Sequence, residues 1–275
     1  MSNAPKPTTA KKETSGGSSI FAGLAIVICI AIAWAVFLFV MGNPANFEGG
    51  DNANHPLEGN YFGMIYKGGI VVPFLMGMFL MVIVFSIERF FVISKAAGTG
   101  NVDAFVKKVQ QFLSSGSIDS AISACDKQKG SVAAVIKSGL LKYKDVESDT
   151  VMNTEQKCLA IQKDIEEATA LEMPMLEQNL TVISTLVSIG TLVGLLGTVV
   201  GMIKAFAALA TAGAPDQAAL ANGISEALIN TATGIGTSTL AIISYNFFTS
   251  KIDSLTYSID EAGFSIVQTY AATHR

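Results

Sequence analysis

The chain has 275 residues, 50% of them hydrophobic and 15% charged, with a mean hydropathy of +0.47. Soluble domains carry about 25% charged residues, so this composition argues against an ordinary soluble enzyme and against disorder over most of the length. The 18 Lys and Arg against 22 Asp and Glu leave a net charge of −4, with no basic excess to suit nucleic acid.

The charges are unevenly spread: well over half lie between Glu88 and Glu177. Several membrane spans and one water-exposed domain give such a pattern. Residues 1–19, with Pro5, Pro7 and Ser15 to Ser19, are expected to be a disordered tail carrying Lys6, Lys11 and Lys12. Residues 20–41 hold no charge and can cross about 30 Å of hydrocarbon. A basic tail before an apolar run is also the plan of a signal peptide. This run exceeds the about 7–15 residues of a signal core, so a retained anchor is expected. Residues 42–67, rich in Asn and Gly, form a flexible outer loop in this reading. From Gly42 to Tyr66 it carries Glu48, Asp51 and Glu58 and no Lys or Arg.

Residues 68–94 supply the second span, closed by Glu88 and Arg89. Residues 95–177 are expected to form a cytoplasmic helical domain. Val102, Phe105, Val106, Val109, Phe112 and Leu113 recur at helical spacing. Ile118, Ala121, Ile122 and Cys125 continue the pattern in a second helix, and Ser131 to Lys144 make a third. A long helix from about Thr150 runs toward the membrane, with Pro174 expected to kink it at the edge. Residues 178–212 and 218–250 are the third and fourth spans, joined by an outer turn at 213–217 marked by Gly213, Pro215 and Asp216. Residues 251–275 are expected to be a cytoplasmic C-terminal helix. The Lys and Arg placement puts both termini and the large domain in the cytoplasm. The fold expected is therefore all-α, a polytopic membrane bundle whose long helices project into a cytoplasmic helical domain.

Cys29, Cys125 and Cys158 are odd in number and fit no metal spacing, and His55 and His274 are far apart. The cysteines read as small hydrophobes, and no metal or cofactor is expected. The informative residue is Glu226, the one charge in the fourth run. A carboxylate within a span costs about 2.5–3.5 kcal/mol on insertion scales and marks a bundle interior or a water-filled cavity. Asn222, Glu226, Asn230, Thr233 and Thr237 fall within about 80° on an ideal helix. The third span has its own hydroxyl stripe: Thr181, Ser184, Ser188, Thr191 and Thr198. Gly190, Gly194, Gly197 and Gly201 occupy another face of that helix, at a spacing that suits close helix packing. Hydroxyls and amides that merely bond neighbouring helices would explain either stripe alone. A carboxylate beside two polar stripes favours a path for protons.

The strings TLVGLLGTVVGMIKAF and GISEALINTATGIGTSTLAIISYNFF resemble the hairpin of the MotA/TolQ/ExbB proton-channel family, with ExbB and TolQ as the nearest branches. The stretch AISACDKQKGSVAAVIKSGL is similar to the family's cytoplasmic loop. The resemblance implies a homo-pentameric ring in the inner membrane of a Gram-negative bacterium, among lipids. The ring would surround an ExbD-like single-span subunit with a membrane aspartate. Proton flow would drive relative rotation, passed to a TonB-like protein to energise outer-membrane transport, without enzymatic chemistry. By the same resemblance the proton path falls on Thr198, Glu226 and Thr231. The chain departs from the family pattern at Thr191 (often Pro), Val200 (often Trp), and Asn230 and Thr233 (commonly Ala and Ile). Thr231 lies about 140° from Glu226 on an ideal helix, so the two do not share a narrow stripe. The first span is not typical of these branches. A TolQ-like subunit, a gliding or stator-type motor with another partner, a passive scaffold, and sodium in place of proton coupling are the alternatives.

Overall fold

The computed structural model describes residues 15–52, 54–210 and 217–274. Among these, nine α-helices make up most of the described length. They are α1 (Ser15–Ala35), α2 (Tyr61–Tyr66), α3 (Val72–Ala97), α4 (Val102–Ser114), α5 (Ile118–Gln128), α6 (Gly130–Glu147), α7 (Thr154–Glu177), α8 (Leu180–Leu209) and α9 (Gln217–Thr273). The described residues contain no strand, only an isolated antiparallel bridge between Phe47 and Pro56. Four helical stretches are long and apolar enough to cross a membrane: Ala22–Met41, Gly69–Ser114, Leu180–Leu209 and Gln217–Thr273. The protein is thus an all-α, polytopic helical bundle. The fourth stretch runs without a break through residue 250 to Thr273, about 85 Å at 1.5 Å per residue. That is well over twice a hydrocarbon core, so it carries its own extension into water.

Three expectations need correction. The tail was expected to reach residue 19, but α1 starts at Ser15. Ser and Gly are weak helix formers, and the helix propagates over them from the apolar run. Residues 1–14 lie outside the described residues, as does the turn at Gly213, Pro215 and Asp216. The second span does not begin as α-helix at residue 68. Gly69 has φ +75°, a left-handed conformation open to glycine at no steric cost, and a 3-10 turn at Gly69–Val71 leads into α3. The loop after Met41 is tied down rather than loose. Asn46 Nδ2 donates to the carbonyls of Val40 (2.8 Å) and Met41 (3.0 Å). Asn60 Nδ2 donates to Asn46 Oδ1 at 3.0 Å, and Asn60 Oδ1 caps α2 by accepting from the Gly63 amide. Lys67, just beyond the Lys-free stretch, donates to the Asn52 carbonyl at 3.0 Å.

The described residues divide into two compact units. One comprises the chain up to Met81 together with Gly194–Thr233. Here α1 packs on the start of α3. Trp34 meets Phe74 edge-on at 5.7 Å, and Gly77 lets the backbones close, since a Cβ there would lie 3.3 Å from Ile30 Cα. At its C-terminal end α1 loosens into a π-helical turn, Val36–Met41. Its Phe37 and Met41 are buried with Val72, and the Tyr66 ring stacks on Phe37 at 4.7 Å.

The other unit comprises Val82–Val193 and Gly234 onward. Asn101 caps α4 by accepting from the Ala104 amide at 3.0 Å. Asn153 and Gln156 form a reciprocal capping box that starts α7. The buried side chains of α6 (Val132, Ile136, Leu140), α7 (Ile161, Ile165) and α9 (Ile259, Ile266) make its core. Gly139 brings α6 onto α7, because a Cβ there would lie 2.6 Å from Ile165 Cγ1. Pro174 stays inside α7, and the break comes later, at Gln178 and Asn179. The loose carbonyls at this break are taken by Arg89, only 2% exposed, which donates to Met175 O (3.1 Å) and Leu176 O (3.0 Å). Glu88 neutralises Arg89 at 2.6 Å and accepts from Asn179 Nδ2 at 3.1 Å. The charges read as the close of a span are therefore also a clamp on the start of the next.

Candidate functional site

The helices α8 and α9 form the antiparallel hairpin expected on either side of the outer turn. Residues roughly equidistant from that turn meet, and small residues allow it. A Cβ on Gly201 would lie 2.7 Å from the Ala227 amide nitrogen and the Gly223 carbonyl. A Cβ on Gly223 would lie 2.8 Å from the Ala205 amide nitrogen. Gly197 is filled against by Asn230, and a Cβ on Gly190 would lie 2.8 Å from Ser238 Oγ. Three of the four expected packing glycines thus serve the hairpin itself, and Gly194 is buried. Backbones this close bring short polar side chains within bonding reach.

Within the first unit, three polar contacts follow in order down the hairpin. Nearest the C-terminal end of α8, Lys204 Nζ donates to Glu226 Oε1 at 2.6 Å. The carboxylate side chain is 9% exposed and the lysine side chain 52%. Gly69 lies directly against this carboxylate, so a side chain there would collide with Oε1. One turn further, Asn230 is fully buried and its Nδ2 donates to the Gly68 carbonyl at 2.9 Å, while its Oδ1 has no hydrogen-bond partner. Beyond it, the hydroxyls of Thr198 and Thr231 bond to each other, and Thr198 Oγ1 also donates to the Gly194 carbonyl at 3.2 Å. In the second unit, Thr191 Oγ1 donates to Ser238 Oγ at 2.8 Å, and Thr237 is buried beside Gly190.

The expected stripe on the fourth span therefore does not act as one face. Glu226, Asn230 and Thr237 are buried within the chain, Thr233 is half-buried and bonds back to the Ile229 carbonyl at 2.8 Å, and Asn222 is exposed. On α8, Thr191 and Thr198 meet α9. Thr181 and Ser188 are exposed, and Ser184 bonds back to the Thr181 carbonyl at 2.9 Å. The angular separation of Thr231 from Glu226 has a simple reading here: each has its own partner on α8. Lys204, Ser238 and the Gly68–Gly69 break were missed by sequence reasoning. The register of the hairpin was the available signal for the first two, since it sets Lys204 across from Glu226 and Ser238 across from Thr191. Nothing in the sequence signals that the chain before α3 folds back onto α9.

The sequence pattern of the MotA/TolQ/ExbB proton channel family matches residues 127–261, which include most of the hairpin and the helices before it. The chain is 35% identical over 118 residues to the Tol-Pal system protein TolQ of Pseudomonas aeruginosa, covering 43% of this chain and 48% of the relative. It is 33% identical over 94 residues to the biopolymer transport protein ExbB of Xanthomonas campestris pv. campestris, covering 34% and 37%. It is also 33% identical over 88 residues to the biopolymer transport protein ExbB-like 3 of Synechocystis sp., covering 31% and 42%. The chain thus spans less than half the length of each of these relatives. Over residues 127–261, from α6 into α9, the chain thus matches the MotA/TolQ/ExbB family, with both ExbB and TolQ among its relatives.

Proposed function

We propose that this chain is the ring-forming inner-membrane subunit of a transducer driven by the proton-motive force. In this reading five copies surround an ExbD-like single-span subunit, and the work goes to a TonB-like protein that opens outer-membrane transporters. The observation that carries the proposal is the pairing of the Thr198 and Thr231 hydroxyls on the hairpin, one to two turns from the buried Glu226. Hydroxyls donate and accept, so by exchanging one of its present bonds this rung can bond the protonated or the ionised form of a carboxyl on a partner helix. Asn230 Oδ1, buried without a donor between rung and carboxylate, suits a water molecule there. A proton crossing 100 mV releases about 2.3 kcal/mol, and a gated carboxyl converts that release into movement. The exposed Leu195, Val199, Ile203 and Phe206 of α8 offer apolar surface for neighbouring copies and lipid.

A TolQ-like role, with the same ring and another partner, is the second reading. The longer stretch of identity to the Pseudomonas TolQ supports it. Proton flux decides between transducer and scaffold. Proteoliposomes holding the chain with its single-span partner should lose flux by about a hundredfold or more in Thr198→Ala and Glu226→Ala, the scale on which catalytic proton-transfer groups act. Unaltered flux in both variants would leave a passive scaffold. Proteins co-purified from the native host separate the ExbB-like from the TolQ-like role.

A further inference from the structure

We infer that Lys204 is a tethered cation that fills the place a metal cation would need beside Glu226, so that the hairpin discriminates against sodium. The inference deepens the proton-transducer reading and rests on it for its biological sense. A buried carboxylate attracts any available cation. In this chain the nearest one is covalently attached: Lys204 Nζ lies 2.6 Å from Glu226 Oε1, on the facing helix. Backbone closes one side of the carboxylate. Gly69 presses against it from the 3-10 turn before α3, close enough that even a methyl group would collide. Sodium needs several oxygen ligands, as hard cations do, and the amide oxygen of Asn230 is the buried acceptor nearby that has no partner. With the lysine removed, Glu226 and Asn230 would offer sodium an uncompensated charge and a free oxygen. With the lysine present, the charge is already met.

The ion pair also explains how a carboxylate can persist at this position. A buried charge is tolerated when paired. The lysine side chain is 52% exposed, so it keeps its own hydration while its ammonium reaches inward, as long cationic side chains do.

The test is labelling of Glu226 by a hydrophobic carbodiimide, which reacts with protonated carboxyls out of water and is read by mass spectrometry on the full-length detergent-purified chain. Sodium chloride is compared with choline chloride at equal ionic strength. Wild type and Lys204→Arg should label slowly, with no difference between the two salts. Lys204→Met should label about tenfold faster in choline, because the ammonium no longer occupies the carboxylate, and sodium should protect it. Glu226→Gln should not label. Sodium protection of the wild type, or Lys204→Met labelling that matches wild type in both salts, overturns the inference. The readout needs neither partner nor gradient, so it stands apart from the flux test. Loss of flux in Glu226→Ala with no sodium effect in Lys204→Met would leave a transducer whose selectivity lies elsewhere.

Discussion

Two ion pairs of nearly equal length occupy opposite kinds of ground. Lys204 reaches Glu226 at 2.6 Å in the hairpin, where the carboxylate is 9% exposed, and Lys137 reaches Asp126 at 2.5 Å between α5 and α6, where the carboxylate is 58% exposed. Lys144–Asp119 and Lys163–Glu167 resemble the second pair, with both partners in water. Exposed pairs of this kind contribute about 0–1 kcal/mol, because water already solvates both charges. A buried carboxylate has no such alternative, and losing its partner leaves the charge stranded. The number of charges is therefore a poor guide to where they matter. The stretch from α4 to α7 holds most of the charge and uses it to stay solvated. Between Leu180 and Ser250 the described hairpin residues hold one charge pair, Lys204 and Glu226, in direct contact.

The sharpest way to break this comparison lies at the other buried charge. Arg89→Met should remove the clamp on the α7–α8 break, strand Glu88 and free two carbonyls, at a cost of about 3–5 kcal/mol. Thermal unfolding of the detergent-purified protein should show a large fall in Tm, with partial rescue by Lys. An unchanged Tm would mean that Arg89 is as dispensable as a surface charge. Next in size is Gly201→Val, which drives a side chain into the Ala227 backbone, 2.7 Å from where the Cβ would lie. A loss of about 1–3 kcal/mol is expected from the overpacked hairpin. Gly236→Ala is its control, with nothing within 4 Å of the new methyl, and should be neutral or stabilise by about 0.5–1 kcal/mol through helix propensity. If both glycines behave alike, the close approach of α8 and α9 is wrong.

The smallest effects belong to α4 to α7. Lys137→Ala should change stability by about 0.5 kcal/mol or less, measured by the same unfolding. In the same region, burial, with Asp126 adding to it, pushes the Cys125 thiol up to about 12, while Cys158 is raised by burial alone. At pH 8 only about one Cys125 in ten thousand is the reactive thiolate. Its alkylation in the folded protein should lag far behind that of the half-buried Cys158, and unfolding should abolish the difference.

The helices were legible in the sequence wherever a pattern was long. Val102 to Leu113 repeats at helical spacing and folds as α4, and the uncharged runs fold as long helices. What the sequence hid was local or non-local in a way that periodicity does not register. A left-handed Gly69 interrupts an otherwise apolar run, and Pro174 leaves its helix unbroken for another turn. The site was half legible. Thr198, Glu226 and Thr231 stand in recognisable strings. Their partners follow only from the register of two antiparallel helices, which needs the hairpin to be built before its contacts can be counted. Asn230 looked like one rung of a shared stripe, and its contact with Gly68 depends on a fold-back more than a hundred and fifty residues away in sequence.

The most direct test is an experimental density map of the purified assembly with its single-span partner. The account predicts Thr198 and Thr231 within hydrogen-bonding reach of the partner's membrane carboxyl, and Glu226 held by Lys204 inside each subunit. A map that turns the two threonines toward lipid tails, with the partner helix contacting other faces, would contradict it.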